Sequence, residues 1–159
     1  MFEDQTILLT RAGHARLEAE LDRLRTIQRR EIAERIRNSK QFGDLTENSE
    51  YENAKAEQAM VEGRIQEIKR ILQFAQVVDD SNTPVDQVGV GSIVKLKDDS
   101  SGEEWEITLV GSIETDPELD RISDHSPIGQ ALMGRKTGDR VQVRIPDGVV
   151  TYTILDIRR

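Results

Sequence analysis

The feature that most constrains the fold is a pair of long segments with helical apolar spacing, separated by a short acidic stretch. In the second segment, residues that are apolar or small, with the one exception of Gln58, recur at alternating steps of three and four. They are Tyr51, Ala54, Gln58, Val61, Ile65, Ile68, Leu72 and Ala75. This heptad spacing predicts one long helix that packs along a single face.

The first segment runs over residues 11–40 with no proline, and Thr10 before it is a candidate N-cap. Its apolar positions keep a helical spacing, apart from one irregular step at Ile27 and Gln28. Two helices of similar length joined by a short connection pack antiparallel. We therefore predict a coiled-coil hairpin.

Beyond residue 78 the apolar period changes from helical to alternating. Turn-forming residues cluster at 79–84, and strands are predicted at 92–97, 104–110, 139–145 and 149–157. A short helix is predicted at 126–132, opened by Ser126 and Pro127. The fold class is therefore α+β. Residues 1–78 form a coiled-coil hairpin domain with an acidic tip near 43–50, residues 79–88 a linker, and residues 89–159 a small antiparallel sheet domain with one short helix.

Charge and composition narrow the class of protein. The formal net charge is −8, which argues against a general nucleic-acid binder, although residues 23–40 hold seven bases and two acids. The absence of cysteine excludes disulfides and thiolate metal sites. No apolar run is long enough to span a membrane, and the N-terminus lacks a signal-peptide pattern. We expect a soluble, cytoplasmic protein.

The acidic stretch, residues 41–52, allows two interpretations. Asp44-x-x-Glu47 is a helix-capping pattern, and Ser49-x-x-Glu52 offers a second one. Spacing alone favours capping, yet the stretch holds more acids than one cap requires. Two exposed carboxylates can also share Mg²⁺, but only weakly unless another molecule supplies further ligands.

A basic stripe, defined as Arg16, Arg23, Arg30 and Arg37, recurs at intervals of seven along the first helix. It allows a solvated face with local pairs such as Arg30–Glu34, or a track for a phosphate backbone. Spacing does not decide between the two.

The remaining candidates do not form a self-contained active site. His14 and His125 are isolated and are interpreted as surface residues, and Trp105 and Tyr152 as core residues of the sheet. No nucleophile–base set or phosphate-binding glycine loop is present in the sequence.

One further motif lies at residues 43–51, Gly-Asp-Leu-Thr-Glu-Asn-Ser-Glu-Tyr, and other characteristic segments lie at residues 9–13, 17–21, 29–32, 62–65 and 122–134. Together they resemble the GreA/GreB family of bacterial transcript cleavage factors, and residues 43–51 are similar to the family's tip signature. The resemblance covers nearly the whole chain. The basic patch on the first helix is modest and not extensive, and in this respect the chain resembles the GreA branch of the family more than the GreB branch.

The resemblance implies a monomer with a coiled-coil hairpin and an FKBP-like domain that docks at the rim of the RNA polymerase secondary channel. Asp44 and Glu47 would then help to hold a Mg²⁺ ion jointly with polymerase ligands and orient a water for hydrolysis of backtracked RNA.

The resemblance also implies contacts away from the tip carboxylates. Arg30, Arg37 and Lys40 would face the 3′ segment of the nascent RNA. Lys55 and the residues at the start of the predicted short helix, Ser126, Pro127 and Ile128, would contact polymerase.

Two alternatives remain. Some paralogues in the family occupy the same channel and inhibit polymerase without stimulating cleavage. The FKBP-like domain could instead be a prolyl isomerase, although Trp105 and Tyr152 are few for an aromatic-lined pocket.

Overall fold

The computed structural model describes residues 7–40, 48–78 and 86–159. Of these, residues 14–74 form a helical unit, and residues 7–13, 75–78 and 86–159 form a sheet unit. The sequence-based domain boundaries at residues 78 and 89 stay a prediction. None of the described helices is long and apolar enough to cross a membrane.

The predicted hairpin is confirmed, and its helices have the expected lengths. α1 spans Arg11–Arg23 and α2 spans Arg29–Ser39, with a π-helical turn at Leu24–Gln28 between them. The returning helix α3 spans Ser49–Phe74. Glu20 pairs with Arg64 near one end and Arg35 with Glu57 near the other, so the helices run antiparallel.

The π-helical turn coincides with the irregular step in the sequence. From Leu24 the partly or fully buried positions continue at Gln28, Ile32 and Ile36, which are three successive steps of four. A heptad seam alternates three and four, so these steps carry one residue too many. A π-helical turn is wider than an α-helical turn and takes up that residue, which keeps the seam facing α3. Ile27 is left half exposed.

The seam buries the apolar side chains that hold the hairpin together. Leu24, Ile65 and Ile68 are buried. Partly buried residues packed against them are Leu17, Leu21, Val61 and Leu72. Full burial of a side chain of this size contributes about 1.5–3 kcal/mol, more than a typical exposed ion pair. The seam therefore decides whether the hairpin forms.

The sheet unit contains a five-stranded sheet and one short α-helix, and the sequence predicted this helix and four of the five strands. Its strands are β3 (Ile93–Asp98), β4 (Glu104–Val110), β5 (Arg121–Ser123), β6 (Arg140–Ile145) and β7 (Gly148–Arg158). The spatial order is β5-β4-β3-β7-β6. All neighbouring pairs are antiparallel except β4 and β5, which are parallel. β5 is the strand that the sequence does not predict, because three residues are too few to show an alternating pattern.

One face of this sheet carries the core. In β3, Val94 and Leu96 are buried while Lys95 and Lys97 are exposed, which is the alternation that predicted the strand. Residues of the buried cluster are Val88, Val94, Leu96, Ile107, Leu109, Leu132, Val141, Ile154 and Ile157. Leu132 comes from α4 (Pro127–Leu132), so this helix covers the buried face.

A second, two-stranded sheet lies in the same unit. β1 (Leu8–Leu9) pairs in parallel with β2 (Gln76–Val77). Thr10 follows β1 and caps α1 as predicted, since its Oγ1 accepts a hydrogen bond from Gly13 N at 3.0 Å. The Glu114 carboxylate accepts from Thr10 N at 2.9 Å and from Thr10 Oγ1 at 2.6 Å, which fixes the cap.

Candidate functional site

The predicted tip carboxylates Asp44 and Glu47 lie outside the described residues. The described chain ends at Lys40 and resumes at Asn48, so the structure describes residues 48–52 of the acidic stretch and the residue that precedes it. Among the described residues, no group of three or more histidine or acidic side chains is placed to hold a metal ion.

Asn48 caps α3. Its Oδ1 accepts a hydrogen bond from Tyr51 N at 3.2 Å, which satisfies one of the free N–H groups at the helix start. The capping frame predicted at Ser49 is wrong, because Ser49 is already the first residue of the helix. The cap of α3 thus comes from an uncharged amide, and α3 does not need Asp44 or Glu47 for that purpose.

Asn48 also bonds to the other helix of the hairpin. Its Nδ2 donates to Ser39 O, the carbonyl of the last residue of α2, at 2.6 Å. Ser39 is buried, and its Oγ donates to Ile36 O at 2.8 Å. One side chain therefore connects the two helix ends from which the acidic stretch leaves.

Two arginines of α2 form ion pairs with glutamates of α3, within the hairpin. Arg29 donates from Nε and Nη2 to the Glu62 carboxylate at 2.7 and 2.8 Å, and this hydrogen bonding lowers the pKa of Glu62. Arg35 pairs with Glu57. Arg35 therefore bonds across the hairpin and not along its own helix.

Three arginines of the basic stripe differ from Arg29 and Arg35 in their contacts. Arg23, Arg30 and Arg37 are exposed and form no hydrogen bond or ion pair with any residue that the structure describes. Lys40 is likewise exposed without such a partner. The local pair of Arg30 with Glu34 that the spacing allowed is not formed.

The stripe is stepped rather than straight, because the π-helical turn lies within it. Arg23 precedes the seam residue Leu24 by one position, whereas Arg30 precedes Ile32 by two. The extra residue rotates the later arginines onto the adjacent outer face of the helix. Arg30, Arg37 and Lys40 are all on the α2 side of this step, nearest the acidic stretch.

Lys55 is exposed on α3, and its Nζ donates to Gln58 Oε1 at 3.2 Å. This bond joins residues three apart on one helix face and leaves the ammonium at the surface. The side chain is thus accessible to a partner.

The three residues at the start of α4 that are predicted to contact polymerase differ in exposure. Ser126 caps α4: its Oγ accepts from Gly129 N at 3.1 Å and donates to Ser123 O at 2.6 Å. Ile128 is partly buried against the core of the sheet unit, whereas Pro127 at the first helical position is exposed. Ser126 and Ile128 therefore shape the start of α4, and Pro127 offers the surface.

Position 129, in the first turn of α4, requires a glycine because another part of the backbone passes close to it. A Cβ at this position would lie 2.1 Å from Ser123 O, which is backbone and cannot move aside. The first turn of α4 therefore packs directly against the end of β5.

The aromatic residues of the sheet unit belong to its core, as predicted. Trp105 and Tyr152 pack against the buried cluster, with ring centroids 6.3 Å apart. Trp105 Nε1 donates to Asp120 Oδ1 at 3.1 Å, and burial raises the pKa of Tyr152. A surface depression of about 490 Å³ in this unit is polar, lined by Arg135, Arg140, Gln142 and Thr151. It does not resemble an aromatic pocket for a proline ring.

Two family models match the chain. The model described as "Transcription elongation factor, N-terminal" matches residues 7–77, and "Transcription elongation factor, GreA/GreB, C-term" matches residues 82–159. Together they cover both segments that the sequence distinguished.

Relatives match along the full length. The chain is 49% identical to transcription elongation factor GreA of Thermoanaerobacter pseudethanolicus, covering 96% of this chain and 98% of the relative. It is 48% identical to GreA of Clostridium botulinum, covering 100% and 99%. Solved structures that match include GreA factor homolog 1 of Thermus thermophilus, at 31% identity and a TM-score of 0.44 over 98% of this chain and 100% of that one.

Proposed function

The chain belongs to the GreA/GreB family of transcription elongation factors, and on that premise we propose that it stimulates cleavage of backtracked nascent RNA by RNA polymerase. It is an accessory factor. The hairpin enters the secondary channel and supplies carboxylates to a hydrolytic site whose other groups belong to polymerase. The observation that carries the proposal is the cap of α3. Since Asn48 performs the capping, the acids at Asp44 and Glu47 need another purpose.

The dimensions of the hairpin support delivery of the acids to a distant site. α3 has 26 residues, which corresponds to about 39 Å at 1.5 Å per residue. The acidic stretch lies at the end of this helix, connected to α2 by Asn48. A rod of this length with carboxylates at one end suits a narrow channel.

Asp44 and Glu47 are the residues that would hold Mg²⁺ together with polymerase ligands and RNA phosphate oxygens. A bound Mg²⁺ stabilises charge that develops on phosphoryl oxygens and favours deprotonation of a coordinated water. Carboxylate oxygens are the ligands that this ion prefers, and two of them leave most coordination positions to other groups. The chain therefore has half of the required site.

The basic residues nearest the acidic stretch supply the second element. Arg30, Arg37 and Lys40 are exposed and form no bond with described residues, so they can neutralise phosphates of the displaced RNA 3′ segment. Lys55 on the opposite helix and Pro127 in the sheet unit are the exposed candidates for contact with polymerase.

The test is cleavage of end-labelled RNA in a stalled, backtracked polymerase complex, measured against factor concentration. Asp44→Asn and Glu47→Gln remove each charge while keeping the side-chain shape. Each should reduce the maximal cleavage rate by at least about 100-fold, the scale for loss of a group that stabilises transition-state charge. Polymerase binding, measured by competition with the wild-type factor, should be nearly unchanged.

Glu52→Gln is the matched control, since Glu52 is an exposed acid of the same stretch outside the Asp-x-x-Glu pattern. It should cleave like the wild type. Cleavage at the wild-type rate in both Asp44→Asn and Glu47→Gln would contradict the proposal. A wild-type factor that slows elongation and releases no RNA fragment would identify the inhibitory alternative.

A further inference from the structure

We propose that Asn48 is a positioning residue, whose side chain holds the end of α2 to the start of α3 and so sets where the acidic stretch is presented. The inference rests on the proposed function, because the stretch has a catalytic task only there. It assigns a role to a residue that touches neither RNA nor metal in the proposed site.

The geometry uses the whole side chain. Oδ1 of Asn48 accepts from Tyr51 N in the first turn of α3 at 3.2 Å, and Nδ2 donates to Ser39 O at the end of α2 at 2.6 Å. The backbone carbonyl of Asn48 accepts from Glu52 N at 3.1 Å, which continues the helix. The residue is therefore fixed by three hydrogen bonds on two helices.

Only an amide of this length performs both tasks. A helix start offers free N–H groups and a helix end offers free carbonyl groups, so joining them requires an acceptor and a donor. Aspartate has the acceptor but no donor, and would place a carboxylate against the Ser39 carbonyl. Serine caps well, but its single short hydroxyl does not provide two separate polar groups.

Eight residues, 40–47, connect Ser39 to Asn48 and include both catalytic candidates. Their path begins and ends at two points that Asn48 brings together. Misplacement of a catalytic group by about 1 Å can reduce a rate by about 100-fold. A bond that fixes both ends of this connection therefore acts on the maximal rate more than on binding.

The variant that separates the two tasks is Asn48→Asp, which keeps the cap on Tyr51 N and loses the donor to Ser39 O. Asn48→Ala removes both. The matched control is Asn53→Asp, which adds the same charge at an exposed position of α3 with no side-chain hydrogen bond among the described residues. All three are assayed with the full-length factor on backtracked polymerase.

We expect Asn48→Asp to lower the maximal cleavage rate by about tenfold or more while its half-saturating concentration changes by less than about twofold. Its helical circular dichroism should match the wild type, because the cap is retained. Asn48→Ala should lose at least as much rate and also some helix stability. Asn53→Asp should match the wild type in both parameters.

A second measurement does not depend on polymerase. The chain has no cysteine, so Asn38→Cys and Glu52→Cys, both exposed positions on the two helix ends, can carry a pair of spin labels. The distribution of label separations by electron paramagnetic resonance should broaden when Asn48→Asp is added. Addition of Asn53→Asp should leave it unchanged.

The outcomes separate the two proposals. Wild-type cleavage by Asn48→Asp, with Asp44→Asn inactive, would overturn the positioning role and leave the proposed function standing. Slow cleavage with an unchanged label separation would overturn the connection between helix ends as its cause. A wild-type factor without cleavage activity would remove the proposed function and the positioning role with it, and the labels would still decide whether Asn48 joins the helices.

Discussion

Arg29 faces Glu62 across the hairpin and donates two parallel hydrogen bonds to its carboxylate, from Nε to Oε1 at 2.7 Å and from Nη2 to Oε2 at 2.8 Å. Its neighbour Arg30 is exposed and forms no bond with any residue in the described ranges. Two adjacent arginines thus have different tasks. One joins the two arms of the hairpin, and the other is the one that we propose to contact RNA phosphate.

This difference predicts opposite effects of two alanine substitutions. Arg29→Ala should lower the thermal unfolding midpoint of the hairpin, because Glu62 loses its partner, and should leave RNA affinity nearly unchanged. Arg30→Ala should leave the midpoint unchanged and reduce the salt dependence of complex formation by about one unit in the slope of log K against log salt. Circular dichroism and binding titrations at several salt concentrations measure both. Equal stability loss in the two variants would contradict the assignment.

Glu20 and Arg64 predict an acid-sensitive hairpin. Arg64 donates to both carboxylate oxygens of Glu20, at 2.7 and 2.9 Å, and this hydrogen bonding lowers the pKa of Glu20 from 4.5. Because the folded-state pKa is lower than the unfolded one, the stabilisation is complete above about pH 4.5 and is lost as the pH falls through the lowered pKa.

Glu20→Gln should therefore destabilise the hairpin at neutral pH by less than about 1 kcal/mol, the range for partly exposed pairs. Its difference from the wild type should vanish at the acidic end of the transition. Urea unfolding at a series of pH values, followed by helical circular dichroism, measures this. A constant difference at every pH would show that the pair does not cause the effect.

The helices and main strands could be predicted because their signals are periodic and local. The steps of three and four from Tyr51 to Ala75 correspond to partly or fully buried positions throughout α3. Thr10 is recognisable as a cap because it directly precedes a periodic segment, and Ser126 because a proline follows it at the first helical position. These features depend on residues near one another in the chain.

The acidic stretch and its flanks depend on contacts that spacing does not encode. The sequence does not single out Asn48 as a cap, because the capping patterns that begin at Asp44 and at Ser49 lie on either side of it. Its bond to Ser39 joins residues nine apart and leaves no local signal. The π-helical turn was visible only as an irregular step, since the sequence does not say how an extra residue will be accommodated. Arg29 pairs with Glu62 and Arg35 with Glu57, both across the hairpin and not within one helix. These pairs also depend on contacts between residues far apart in the chain, which spacing does not encode.

Two glycines in helices predict opposite responses to alanine. A Cβ at Gly13 would lie 2.0 Å from Glu114 Oε1, whereas nothing lies within 4 Å of a Cβ at Gly63. Gly63→Ala should stabilise the protein by about 0.5–1 kcal/mol, because alanine is the better helix former.

Gly13→Ala gains the same helix propensity but must displace the Glu114 carboxylate from Thr10 N and Oγ1. Loss of two hydrogen bonds to a charged group outweighs the propensity gain, so we expect net destabilisation of about 1–2 kcal/mol. Chemical unfolding of both variants measures the two changes. Stabilisation by Gly13→Ala would contradict the tight packing at the start of α1.

The π-helical turn predicts that one residue can be removed from the hairpin without loss of its seam. Deleting Arg29 brings Ile32 and Ile36 one position closer to Gln28, so that the steps from Leu24 onward become four, three and four. That alternation matches α3, and a continuous α-helix satisfies it. The cost is the ion pair of Arg29 with Glu62, so the unfolding midpoint should fall no further than in Arg29→Ala.

Deletion of Gly63 is the matched control, because it too removes one exposed residue. It shortens the step from Val61 to Ile65 to three and produces three successive steps of three, which rotates the seam of α3 away from its partner. This variant should unfold at a clearly lower midpoint than the Arg29 deletion. If both deletions destabilise equally, the π-helical turn does not accommodate an extra seam residue, and its position at Leu24–Gln28 needs another cause.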